Sequence, residues 1–297
     1  MPPRLSKVVY EFESFLAVQR NLAKGTRQGY LADVEQFVAH LAEVRKSSPR
    51  LDRIDADDVR NYLEHLYEKR RLGPARLSRI IVSLRQFFEY CVERGHIEAS
   101  PAAAVRTPKK PRKLPFFLIK DEIRRLFEAP DRSDWRGRRD YAILVTLAFT
   151  GMRLKELVAL NLDDVDFATG QIKILGKGSK ERFVPMNALV AEALKKYLEQ
   201  RPPSADAAVF LSRSRCRTSG RSIQNIVTRC ALKAGIFKKG MSPHKLRHTF
   251  ATLLHMKDVD IVEIQALLGH SSITSTQIYT HTHPGKLKAA VDKLTEI

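Results

Sequence analysis

The side chains with chemical potential gather toward the C-terminal end of this chain. The run His270-Ser271-Ser272-Ile273-Thr274-Ser275-Thr276-Gln277-Ile278-Tyr279 ends in a single tyrosine, and His244-Lys245-Leu246-Arg247-His248 lies shortly upstream. A third basic element, Thr150-Gly151-Met152-Arg153, comes well before both. Arginines, histidines, a lysine and a tyrosine in one very basic chain suggest a site built around a phosphodiester, with the tyrosine as nucleophile. A guanidinium offers a planar fork to two non-bridging phosphate oxygens. Glu156, one turn beyond Arg153, can orient it through an ion pair. His244 and Arg247 stand at i and i+3 and share a helix face. Ser242-Pro243 reads as an N-cap and first-turn proline, so both residues fall where the macrodipole and unpaired amides favour an anion. His248 reads as a packed or supporting residue. The histidines at 244, 248, 270, 281 and 283 also raise a zinc reading. No cysteine lies near them, and the neighbouring Arg and Lys would repel a cation, so no metal is expected.

These residues need a scaffold, and the pattern supplies one that is mainly helical. Val9, Phe12 and Leu16 share a face; Thr26 reads as an N-cap for a helix carrying Tyr30, Val34, Phe37 and Leu41. Asp55 can cap a helix with Val59, Tyr62, Leu63 and Leu66, and Ile80, Ile81, Leu84, Phe87, Phe88 and Cys91 stripe a fourth that stops near Gly95. Four amphipathic helices make a small bundle whose aromatics read as core rather than as base-stacking platforms. Beyond it, Gln171-Ile172-Lys173-Ile174-Leu175 and Glu181-Arg182-Phe183-Val184-Pro185 alternate as strands around Gly176-Lys177-Gly178-Ser179-Lys180, a β-hairpin pattern. Leu267-Leu268-Gly269-His270 ends a helix with Ile261, Ile264 and Leu268 inward. The composition breaks at Thr107-Pro108-Lys109-Lys110-Pro111-Arg112-Lys113-Leu114-Pro115, where prolines favour an extended course and basic residues suit a phosphate backbone. The expected organisation is a helical bundle over 1–107, a basic linker over 108–115 and a second, α+β domain over 116–297.

Bulk properties narrow the partner class. With 297 residues, 52 Lys+Arg and 33 Asp+Glu, the net charge is +19, an excess that points to a polyanion. Both sides of residue 113 are basic, which fits a protein that surrounds nucleic acid better than one with a basic tail. The three cysteines, Cys91, Cys216 and Cys230, form no CxxC pair and no even disulfide framework, so they read as reduced thiols, with Cys91 as helix core. Met1-Pro2-Pro3-Arg4 is not followed by an apolar signal core, and the apolar run from Tyr141 to Phe149 is too short to span a bilayer. A cytoplasmic, nucleoid-associated protein with no membrane partner is the expectation.

Taken together, the motifs resemble those of the tyrosine recombinase/integrase family, specifically its Xer-type members. Thr150-Gly151-Met152-Arg153, the Gly176-to-Arg182 hairpin, His244-Lys245-Leu246-Arg247-His248, Leu268-Gly269-His270 and Tyr279-Thr280-His281 occur in the family's order. The resemblance extends to the N-terminal Thr26…Tyr30…Asp33…Phe37 helix and covers essentially the whole chain. It implies an N-terminal SAM-like core-binding bundle and a C-terminal catalytic domain that clamp duplex DNA. Arg153, Arg247 and His270 would hold the scissile phosphate, Lys177 would protonate the leaving 5′-oxygen, with Lys180 as the alternative donor, and His244 would assist proton transfer with Tyr279. Glu156 and His248 would support them. The product is a 3′-phosphotyrosyl link that conserves bond energy, so no cofactor, ATP or metal is needed. Arg27, Arg76, Arg79, Arg85, Lys109, Lys110, Arg112 and Lys180 are candidate DNA contacts. The implied partners are a specific recombination site, a homo- or hetero-tetramer joined through a tail helix over 284–297, and a DNA translocase as activator.

Two departures from the family pattern are visible. Lys155 stands where many relatives carry Ser, and Met256-Lys257-Asp258-Val259 replaces a turn that usually holds Gly. Asp tolerates left-handed backbone better than most residues, so the turn is expected to survive. Chromosome or plasmid dimer resolution through a Holliday junction fits the compact length. The alternatives are a mobile-element integrase of the same fold, a type IB-like topoisomerase, or a DNA-binding protein with a silent site.

Overall fold

The computed structural model describes residues 5–106, 117–175, 181–237 and 240–269. The chain divides into two compact units, Met1–Lys113 and Leu114–Ile297. The expected linker lies outside the described residues, as does the tail helix.

The first unit is a bundle of α1 (Leu5–Val18), α2 (Lys24–Arg45), α3 (Ala56–Glu68) and α4 (Pro74–Glu93). Its core is aromatic: Phe12, Phe37, Phe87 and Phe88 are fully buried, and Phe12 meets Phe87 edge-on with ring centroids 5.3 Å apart. Such contacts add to simple area burial. The expected stripes are all here, so the aromatics are core. One boundary differs. The second helix begins at Lys24 with Ala23 at the N-cap, and Thr26 lies inside the first turn, exposed, its amide bonded to the Ala23 carbonyl. Ala23 and Lys24 carry no apolar periodicity, which is why the polar side chain nearest the stripe read as the cap. Asp55 does cap α3, in a reciprocal pair with Asp58. Cys91 is buried in α4, and burial pushes its thiol up to about 12.

The second unit packs α5 (Lys120–Glu128), α6 (Trp135–Thr150), α7 (Leu154–Ala159), α8 (Ala188–Leu198), α9 (Gly220–Lys233), α10 (Pro243–Met256) and α11 (Ile261–Leu268) around one small sheet. The sheet is antiparallel in the order β1 (Val165–Asp166), β2 (Gln171–Leu175), β3 (Glu181–Pro185), with Ile172 opposite Val184. The hairpin was legible from its alternation; the two-residue β1 is too short to carry any. Helix α6 is buried on nearly every side from Ala142 to Ala148 and packs against α8 and α10, as a helix apolar all round should. A separate, smaller cluster of Phe250, Ala251, Ile264 and Leu268 joins α11 to α10. The α10–α11 turn holds Asp258 at φ 61°, the left-handed geometry expected of it. Among the described residues no helix is long and apolar enough to cross a membrane.

Candidate active site

Helix α6 ends where the first arginine begins. The Thr150 hydroxyl bonds back to the Thr146 carbonyl at 2.6 Å, and Gly151 turns the chain at φ 61°. A Cβ at 151 would lie 2.4 Å from the Phe250 ring, so both the backbone angle and the space require glycine. Met152 is buried behind the turn, and Arg153 occupies the N-cap of α7 with its side chain exposed. Its amide donates to Glu156 Oε2 at 2.7 Å and its Nη1 to Glu156 Oε1 at 2.9 Å.

The second arginine arrives from α10. Ser242 and Pro243 occupy the N-cap and first helical position, although the Ser242 side chain makes no capping bond. Arg247 is 3% exposed; its Nη1 donates to the Gly151 carbonyl at 2.5 Å and its Nη2 to the Leu268 carbonyl at 2.7 Å. Arg153 Nη2 donates to the next carbonyl, Gly269, at 3.0 Å. Two guanidiniums from distant parts of the chain thus converge on consecutive carbonyls at the C-terminal end of α11, immediately before His270. That is the negative end of a helix dipole, where cations are favoured. Gly269 caps α11 at φ 62°.

His244 is exposed at the start of α10. Partial burial, then the charges of Arg247, Lys245 and Arg153, pull its pKa below 6.5. His248, half-buried one turn on, is lowered by burial and by Lys245 and His244. Both are neutral at neutral pH, the state in which an imidazole can accept a proton.

Glu156 links this cluster to the hairpin. Arg182 on β3 grips it with both ends of its fork, Nη1 to Oε1 at 2.8 Å and Nη2 to Oε2 at 2.9 Å. Burial opposes ionisation of Glu156, but the bonds from Arg182 and the Arg153 amide outweigh it and hold the carboxyl below its ordinary range. In the sequence Arg182 is marked only as a hairpin residue, with no role. No periodic signal marks a residue whose partner is on another element.

Helix α9 is a second element to which no motif in the sequence points. Ile223, Ile226, Val227, Cys230 and Ala231 are buried, while Arg221, Gln224, Asn225 and Thr228 form an exposed stripe at i, i+3, i+4 and i+7. This stripe lines a groove with Gly240, Met241 and Ser242 that leads to the start of α10. Arg, Gln, Asn and Thr are the side chains that suit base edges in a major groove. The same period that gives the core stripe would have revealed this one.

The basic residues of the first unit have distinct environments. Arg76 pairs with Asp33, Nη2 to Oδ1 at 2.5 Å and Nη1 to Oδ2 at 3.3 Å, and Asp33 is 1% exposed. Arg79 is well exposed, with its Nε 3.8 Å from Asp33 Oδ2. Arg85 donates to the carbonyls of Ala102 and Val105 at 3.3 and 2.6 Å, fastening the segment after α4. Arg27 is half-buried, and its Nε is buried with no hydrogen-bond partner among the described residues. Lys109, Lys110, Arg112, Lys177, Lys180, His270 and Tyr279 lie outside the described residues.

Comparison with known proteins bears on this arrangement. Residues 117–286 match the model of the phage integrase family, and residues 9–95 that of the phage integrase N-terminal SAM-like domain. Tyrosine recombinase XerC of Syntrophus aciditrophicus (strain SB) is 36% identical over 303 residues, covering 97% of each chain. Tyrosine recombinase XerD of Listeria monocytogenes serovar 1/2a (strain ATCC BAA-679 / EGD-e) is 33% identical over 290 residues, covering 96% of this chain and 97% of that one. The pre-cleavage complex of XerH site-specific recombinase bound to difH substrate shares the fold, with a TM-score of 0.71 at 24% identity over 95% of this chain and 84% of that one. The chain belongs to the phage integrase family of tyrosine recombinases, enzymes that cleave and rejoin DNA through a tyrosine-linked intermediate in site-specific recombination.

Proposed function

We propose that Tyr279 attacks a scissile phosphate held by Arg153, Arg247 and His270, and that the enzyme resolves chromosome or plasmid dimers. The observation that carries this reading is the convergence of Arg153 and Arg247 on the carbonyls just before His270. Attack by a phenol adds negative charge to the non-bridging oxygens, and donors already fixed in place stabilise it without reorganising. A free tyrosine has a pKa of roughly 10, so its proton must leave during attack. His244, neutral and beside both arginines, is the group suited to take it. Lys177, or failing it Lys180, protonates the departing 5′-oxygen, and His248 supports α10.

The substrate is duplex DNA carrying a specific site, as in the difH complex of XerH. We assign base reading to Arg221, Gln224, Asn225 and Thr228 and phosphate contact to Arg27, Arg79, Lys109, Lys110, Arg112 and Lys180. Arg76 and Arg85, bound to Asp33 and to two carbonyls, add positive potential nearby. Exchange between two duplexes breaks four strands, and one nucleophile per chain then calls for four chains. The segment over 284–297 would dock each protomer on its neighbour, and a DNA translocase would be the activator. The protein would act in the cytoplasm, on the nucleoid.

The test is Tyr279→Phe on a nicked suicide substrate. The variant should bind the site normally and form no denaturation-resistant protein–DNA adduct. An adduct at wild-type level would move the nucleophile elsewhere.

A further inference from the structure

Glu156 poses an electrostatic problem. It is 8% exposed, it caps α7, and it lies within hydrogen-bond distance of Arg153. A lone buried carboxylate there would take Arg153 into a two-pronged pair and neutralise the charge that a phosphate needs, since the planar fork matches a carboxylate as well as it matches a phosphate.

We infer that Arg182 is a positioning residue that occupies Glu156 and so keeps Arg153 available to the scissile phosphate. The inference rests on the reading of Arg153 given above. Three details of the geometry support it. First, Arg182 takes both carboxylate oxygens, at 2.8 and 2.9 Å, whereas the Arg153 side chain reaches only one. Second, with the Arg153 amide included, Glu156 accepts four hydrogen bonds, two at each oxygen, and has no capacity left to draw Arg153 further in. Third, the guanidinium of Arg182 packs closely over Gly269, where a Cβ would lie 2.9 Å from its central carbon. The three ionised groups Arg153, Arg182 and Glu156 sum to a single positive charge. The bidentate contact assigns neutralisation to Arg182 and leaves that charge on Arg153, whose side chain is the more exposed of the two, at 43% against 18%.

Removing Arg182 should let Glu156 close on Arg153 and pull it off the phosphate; a misplacement of about 1 Å can cost roughly 100-fold in rate. The test is single-turnover cleavage of a suicide substrate by Arg182→Ala, Glu156→Gln and the double variant. Glutamine keeps an acceptor for the Arg153 amide and removes the charge. We expect Arg182→Ala to lose on the order of tenfold to a hundredfold with site affinity retained. Adding Glu156→Gln should recover most of that loss, leaving the double variant near Glu156→Gln alone. Wild-type cleavage by Arg182→Ala, or losses that multiply in the double variant, would overturn the inference. If Arg182→Ala fails to fold, Arg182→Gln, which keeps a donor but no charge, carries the same test. Arg153→Ala runs alongside: if it cleaves as wild type, the reading of Arg153 itself falls, and this inference with it.

Discussion

The pair Asp33–Arg76 gives a prediction whose sign is not the intuitive one. Both residues belong to the helical unit, and Arg76 is a candidate DNA contact by composition alone. Yet Asp33 is 1% exposed and Arg76 31%. Deleting the arginine strands an anion in a dry site, while deleting the aspartate leaves a cation that can turn toward water. Breaking a buried pair by removing one partner costs about 3–5 kcal/mol. Ser83, whose hydroxyl donates to Asp33 at 2.8 Å, and Arg79 at 3.8 Å compensate part of this, so we expect about 2 kcal/mol for Arg76→Ala. Asp33→Ala should cost less, roughly 1 kcal/mol. The double variant should be more stable than Arg76→Ala alone.

The assay can isolate this unit. Trp135 is the chain's only tryptophan and lies in α6, so its fluorescence follows the catalytic unit, while far-UV circular dichroism also follows the bundle. Arg76→Ala should lower the dichroism transition of the bundle by roughly 8–16 °C, from about 4–8 °C per kcal/mol in a domain of this size, and leave the fluorescence transition in place. Arg79→Ala, at an exposed position, should leave both transitions in place and lower the salt dependence of DNA binding by about one phosphate contact. A loss at Arg76 within the surface range of about 0.5 kcal/mol, or a double variant less stable than Arg76→Ala, would refute the reasoning.

Three further outcomes follow from the site. Gly151→Ala imposes a left-handed alanine, about 1–2 kcal/mol, and drives a methyl against Phe250; we expect roughly 3 kcal/mol in total, seen as a lowered Trp135 fluorescence transition. Equal stability would mean that α10 can shift away freely. Stability should fall as pH drops below 6.5, because His40, His244 and His248 have folded-state pKa values below their unfolded ones. The unfolded chain then binds protons that the folded chain does not, so stability is full above 6.5 and is lost on acidification; His244→Gln/His248→Gln should flatten that slope. Lys177→Ala should be rescued by DNA with sulfur at the bridging 5′ position, which needs no proton to leave, and Arg153→Ala should not; absence of rescue would pass the proton donor to Lys180.

What the sequence revealed and what it hid divide along a physical line. Periodicity is local, so the stripes of α2, α3 and α4, the β2–β3 hairpin and the core positions Ile264 and Leu268 of α11 were readable, while Ile261, expected beside them, is only half-buried. Asp258 was readable for the same reason, since its left-handed backbone depends on its own side chain. Thr26 misled because an N-cap signal is a single residue, and the chain enters the helix three residues sooner, with Ala23 as the cap. Arg182 was hidden because its meaning lies in Glu156, on another element, and in the missing Cβ of Gly269. The separate fates of Arg76, Arg79 and Arg85 were hidden too: three arginines on one helix look alike until Arg76 is seen hydrogen-bonded to Asp33, Arg79 more distant from it and Arg85 on the Ala102 and Val105 carbonyls.

The charges of the site can be set against those of the reaction. Among the described residues, Arg153, Arg182 and Arg247 bring three positive charges together and Glu156 one negative, leaving two in excess before the proposed Lys177 is counted. A phosphodiester carries one negative charge, and the five-coordinate state reached on attack carries two. In the proposed reaction an excess of at least two would gain more from the transition state than from the bound substrate, which is the condition for accelerating the step rather than merely binding its reactant. Holding such like charges together without DNA has a cost, met here by the carbonyls of Gly151 and Leu268, which each take an N–H of Arg247, and of Gly269, which takes one of Arg153, without neutralising either guanidinium. The pKa of His244 is depressed first by burial and then by Arg247, Lys245 and Arg153, so part of the lowering should ease when phosphate arrives beside the two guanidiniums. Phosphate binding should then raise that pKa, making His244 a better base in the complex than in the free enzyme. A histidine resonance that titrates no higher with bound site DNA than without it would break this link between the charge count and the proton transfer.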